Sequence, residues 1–155
     1  MKFSILGFDN IRLDVNLDEG AYLDAINELD LRVNACSKIY FHLITTNLDH
    51  LFTCIIDTEE IIAFHKSLEM FLSLKSDEAI FSSHDELFEL KFIRQDGSII
   101  CDYWCRTYLP IRMFVSLRFR SDELQSLTCK RELSALLDNL KDKRLLNEEK
   151  YIKWW

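Results

Sequence analysis

The tetrapeptide Gln95-Asp96-Gly97-Ser98 lies between two runs of alternating apolar and polar side chains, and no other feature of the chain restricts the fold as much. Before it, Phe88, Leu90 and Phe92 alternate with Glu89 and Lys91. After it, Ile99, Cys101, Tyr103 and Cys105 alternate with Ile100, Asp102, Trp104 and Arg106. A two-residue Asp-Gly loop suits a type I′ turn, whose central residues both need positive φ and whose twist matches an antiparallel pair. The pattern predicts a hairpin. Pro110 should end its second arm, and a third strand follows, with Met113, Val115, Leu117 and Phe119 alternating with Arg112, Phe114, Ser116, Arg118 and Arg120.

The same period-two reading predicts short strands around Phe3–Ile5 and Ile11–Val15, a half-buried strand over 28–35, and strands over 39–45 and 50–56 joined by Thr46-Asn47-Leu48-Asp49. A helix should start at Asp57, with Glu60 completing a capping box and Ile61, Phe64, Leu68, Phe71 and Leu72 forming its apolar stripe. Ser121-Asp122-Glu123 opens a second helix whose stripe is imperfect: Leu124 and Leu127 point away from Cys129, Leu133, Leu136, Leu137 and Leu140. Either that helix begins near Ser126 or its first turn covers a separate patch. A short C-terminal helix is expected over 145–155. Few gaps are long enough for parallel crossovers. The expected fold is therefore α+β: one domain over residues 1–155, a mainly antiparallel sheet, and two main helices packed on one face. The residues show no repeat and no composition break.

The charge is uneven. Residues 1–35 carry seven acids against three bases, whereas residues 121–155 carry seven of each, within a formal net charge of −7. That balance disfavours sustained contact with nucleic acid or anionic lipid and favours a basic partner. No run is apolar enough for a membrane span, and Asp9 interrupts the opening apolar stretch too early for a signal peptide. Cys36, Cys54, Cys101, Cys105 and Cys129 form an odd set without a CxxC pair. Free thiols in a reducing compartment are expected, which places the protein in the cytoplasm.

Motifs that carry chemistry are sparse. The chain has no glycine-rich phosphate loop, no G-x-S-x-G and no H-E-x-x-H, so neither a cofactor nor a metal is expected. His65 sits at the edge of the first helix's stripe and reads as structural. His84-Asp85-Glu86 can be read as metal ligands or an acid–base pair, but a polar turn opening the next strand suits it better. Cys129 falls on an apolar stripe, as a core residue would.

The outward sheet face is richer. It should present Asp24, Glu28, Asp30, Glu89, Asp102, Trp104, Phe114 and Arg118, and charged residues interspersed with aromatics are the composition of protein-binding faces. The competing reading makes Trp104 and Phe114 a cross-strand pair, or buries them under the N-terminal segment.

Tyr22-Leu23-Asp24, Asn27 through Val33, Ile61 through Leu72, Ser83 through Leu90 and Leu117 through Leu124 together give a resemblance over residues 22–140. In order and spacing they resemble the WapI-type immunity proteins of bacterial polymorphic-toxin systems, related in role to contact-dependent inhibition immunity proteins. A Cys- and Tyr-rich strand pair and the Trp154-Trp155 end depart from that pattern. The resemblance implies a non-enzymatic cytoplasmic antitoxin that binds the C-terminal domain of its cognate toxin, often a nuclease and expected to be basic. It supplies no binding residues and no oligomeric state. An intracellular adaptor or regulatory binding module is the alternative.

Overall fold

The computed structural model describes residues 2–18, 36–107 and 112–142. Its elements are β1 (Lys2–Leu6), β2 (Arg12–Asp18), β3 (Cys36–Ile44), β4 (Asp49–Asp57), α1 (Thr58–Leu72), β5 (Glu78–Ser82), β6 (Phe88–Gln95), β7 (Ser98–Thr107), β8 (Met113–Ser121) and α2 (Glu123–Asp142). The fold is α+β and dominated by antiparallel sheet, as the alternation predicts. The strands, however, divide into two sheets, ordered β1-β2-β3-β4 and β5-β6-β7-β8. The chain thus passes twice through four meandering strands and a helix.

The division has a local cause. At Asp57 the fourth strand runs directly into α1, whose fifteen residues interrupt the series. Asp57 holds an extended backbone as the cap, and its N–H donates to Glu60 Oε2 at 2.6 Å. At the end of β8, Asp122 repeats the device by accepting from the Gln125 N–H at 2.8 Å. The expectation of both helices on one face of one sheet gives way to a different arrangement. Helix α1 packs on β5, touches β4 and contacts α2, while α2 packs along β1.

One core fills the space between the two inner faces. Phe41 on β3 is fully buried, with ring centroids 4.4 Å from Phe88, 5.7 Å from Tyr103, 5.9 Å from Phe52 and 6.2 Å from Phe81. From α1, Phe64 stacks on Phe81 at 4.7 Å, and Ile61, Leu68 and Phe71 are buried beside it. Helix α2 buries Cys129, Leu133, Leu136 and Leu137. It starts at Glu123, earlier than Ser126, and its first-turn leucines cover nothing among the described residues: Leu124 is 68% exposed and Leu127 49%.

The hairpin register is the expected one, with Gln95 opposite Ser98 and Leu90 opposite Tyr103. Asp96 and Gly97 have φ values of 51° and 76°, both positive as a type I′ turn requires. A side chain at Gly97 would meet nothing within 4 Å, so substitution there is resisted by the backbone alone. Gly97→Val should lower stability by more than about 1 kcal/mol. An unchanged urea midpoint would contradict this register.

Strand β5 has no counterpart in the sequence reading. The strand expected over 28–35, Pro110 and the helix expected over 145–155 lie outside the described residues.

Candidate functional site

Phe88, Leu90 and Phe92 of β6 and the odd-numbered side chains around Tyr103 of β7 point into the core, while Glu89 and Lys91 of β6 and the even-numbered side chains from Asp102 on β7 and along β8 point out. Register then brings the outward residues into rows: Glu89, Trp104 and Ser116 across one, and Lys91, Asp102 and Arg118 across the next. Five of the residues expected at a binding face therefore share one surface: Glu89, Asp102, Trp104, Phe114 and Arg118. Asp24, Glu28 and Asp30 lie outside the described residues.

Trp104 and Phe114 do form a cross-strand pair. Phe114 faces Arg106 in register, so the two rings meet on the diagonal, with centroids 6.1 Å apart and planes 25° apart. The Arg106 guanidinium lies over the Trp104 ring at 5.8 Å. Pairing leaves Trp104 half-buried and Phe114 66% exposed. A large aromatic held in place by its neighbour yet open to solvent is what a docking anchor needs, because little rotamer freedom remains to be lost on binding.

The charges around this pair are mostly committed to one another. Lys91 binds Glu78 at 2.6 Å, and that hydrogen bond holds its ammonium pKa above the usual value. Arg118 reaches Asp102 at 3.4 Å and Gln95 at 2.9 Å. Arg106 donates to the Glu86 carbonyl at 2.6 Å and to its carboxylate at 3.1 Å. This patch is close to neutral, and the acidic excess of the first half of the chain lies elsewhere. Cations engaged in this way are poorly placed to replace the counterions of a phosphate backbone.

Beyond Arg118 the same surface sinks into a trough of about 770 Å3 between the β1–β2 turn and the β6–β7 turn. Ile11, Ile100 and Phe119 contribute to a mostly polar lining, together with Phe8, which is 54% exposed. Asp9, Asp96 and Arg120 line it as well. The β1–β2 turn is fixed against β8: the Phe8 N–H donates to the Arg120 carbonyl at 3.0 Å, and Ser121 Oγ donates to the Leu6 carbonyl at 2.8 Å. Gly7 allows this approach, since a Cβ there would lie 2.4 Å from the Phe119 ring. Sequence reasoning did not reach the trough, because two turns far apart in the chain build it.

Groups considered for chemistry are placed in structural roles. The His84 backbone N–H donates to Glu60 Oε1 at 2.5 Å, which ties the 83–86 turn to the first turn of α1. His65 Nε2 lies 2.8 Å from Ser134 Oγ, bridging the helices. Burial pushes the Cys54 thiol up to about 12 and raises Cys101, Cys105 and Cys129 as well. An activated nucleophile is shifted the other way. The cysteines at 54, 101, 105 and 129 are free and buried. Among the described residues no group of His, Cys, Asp and Glu is placed to hold a metal, and no helix is long and apolar enough to cross a membrane.

What the fold and this surface define is a class: an α+β domain of two antiparallel sheets presenting an outward face with an aromatic pair and an adjoining trough. No family model and no curated protein matches the chain. Among solved structures it is similar to one described as crystal structures of Trypanosoma bruciei MRP1/MRP2, at 13% identity and a TM-score of 0.48, with 90% of this chain and 85% of that chain covered.

Proposed function

We propose that this protein acts by stoichiometric binding of another protein, docking it on the outer face of the β5–β8 sheet around Trp104 and Phe114. The observation that carries the reading is the mutually stacked aromatic pair, half-buried Trp104 beneath Arg106 and exposed Phe114 beside it, set in a patch whose ion pairs are internally satisfied. Tryptophan, tyrosine and arginine dominate the binding energy of protein interfaces, and a near-neutral centre lowers the desolvation cost of burying them. The partner in this reading is the C-terminal domain of a bacterial polymorphic toxin, which the protein would neutralise in the cytoplasm as an immunity protein. That identity rests on the resemblance over residues 22–140, and the net charge of −7 suits a basic toxin domain by steering its approach.

Co-expression with the toxin domain encoded beside this chain tests the proposal. A one-to-one complex on gel filtration and restored growth of the toxin-producing cells are the expected results. Growth arrest together with separate elution of the two proteins would overturn the immunity reading.

A further inference from the structure

We infer that the trough between the β1–β2 and β6–β7 turns is a socket for an arginine or lysine side chain of the bound partner. The inference rests on the docking reading above and assigns the far end of the same face a specific chemistry. Phe114 and Arg120 both point outward from β8, so the aromatic pair and the trough lie about 20 Å apart along one strand, at roughly 3.3 Å per residue. A single protein partner can span both.

Charge complementarity identifies the occupant. Among the described residues, neither Asp9 nor Asp96 has a hydrogen bond or ion pair, and both line the trough. Arg118 is taken up by Asp102 and Gln95, so among the described residues that line the trough Arg120 stands as the one cation without a side-chain partner against the two carboxylates. Ile11, Ile100 and Phe119 add apolar atoms to this otherwise polar lining. A long side chain with a methylene stem and a cationic head fits both features, because the stem can lie on those atoms while the head reaches the carboxylates. A guanidinium gains most, since its fork can engage two acceptors.

The test uses Asp9→Asn and Asp96→Asn together. Both residues sit at positive φ, 62° and 51°, a conformation asparagine adopts readily, so charge is removed without disturbing either turn. The full-length double variant should bind the toxin domain about tenfold more weakly than the unaltered chain, with a shallower salt dependence. Unchanged affinity of the double variant, with binding still weakened by Trp104→Ala, overturns the socket and leaves the docking face standing. A second measurement does not depend on the toxin: titration of the 15N-labelled protein with arginine methyl ester. Shifts concentrated at residues 8–11 and 95–98, and lost in the double variant, uphold the socket. Shifts spread evenly over the surface, or shifts there produced by inorganic phosphate instead, overturn it.

Discussion

Phe41→Ala should lower folding stability by about 3–5 kcal/mol, the range for removing a large aromatic from a filled core. The site is sensitive to that loss, because Phe41 makes the most ring contacts between the two sheets: it lies against Phe52 of its own sheet and Phe81, Phe88 and Tyr103 of the other. Each such pair contributes about 0.5–1.5 kcal/mol beyond the burial of area. The cavity has little means of collapse, since strands on both sides are locked by their ladders. Tyr103→Phe, a few ångströms away, provides the contrast. Among the described residues the Tyr103 hydroxyl is buried without a nitrogen or oxygen partner, and its neighbours are the thiols of Cys105 and Cys54, weak partners at best. Deleting an unsatisfied hydroxyl while keeping the ring should therefore be neutral or mildly stabilising. Urea denaturation of both variants measures this. A small loss at Phe41, or a large one at Tyr103, would contradict the sheet-to-sheet packing.

These residues also indicate what the sequence makes legible. The hairpin at Asp96-Gly97 is readable because only a few residue pairs tolerate two positive φ values in succession. Once that turn is fixed, parity places Trp104 outward, and the alternation on β8 does the same for Phe114 and Arg118. The capping of α1 by Asp57 and Glu60 is equally local. Strand partnership is not. Period two reports that a strand has a buried face, but not which sheet lies beneath it, so two sheets were indistinguishable from one. Strand β5 escaped notice because it is only five residues long, and Ile80 on its outward side blurs the alternation of Ala79 and Phe81. Net charge says nothing about pairing either: it is register that sets Asp102 against Lys91 and Arg118 on this face.

Trp104→Ala should weaken binding of the toxin domain by about 2 kcal/mol or more, appearing as a roughly thirtyfold faster dissociation. The effect should fall on dissociation because ring contacts form only after docking, whereas long-range charge sets the encounter rate. The fold should survive. Trp104 faces outward, and losing its cross-strand contact with Phe114 costs only about 0.2–1 kcal/mol. Surface-based kinetics, with circular dichroism as the folding control, separates the two effects. An unchanged dissociation rate in a folded variant would remove Trp104 from the interface.

The central claim, that this outer face is the docking surface, is tested most directly by hydroxyl-radical footprinting of the full-length protein alone and in complex with the toxin domain. The account predicts strong protection of Trp104 and Phe114, with unchanged labelling of Leu51 and Ile55 on the outer side of the other sheet. Protection of Leu51 and Ile55, with Trp104 and Phe114 labelled as in the free protein, would place the interface on the opposite sheet and contradict it.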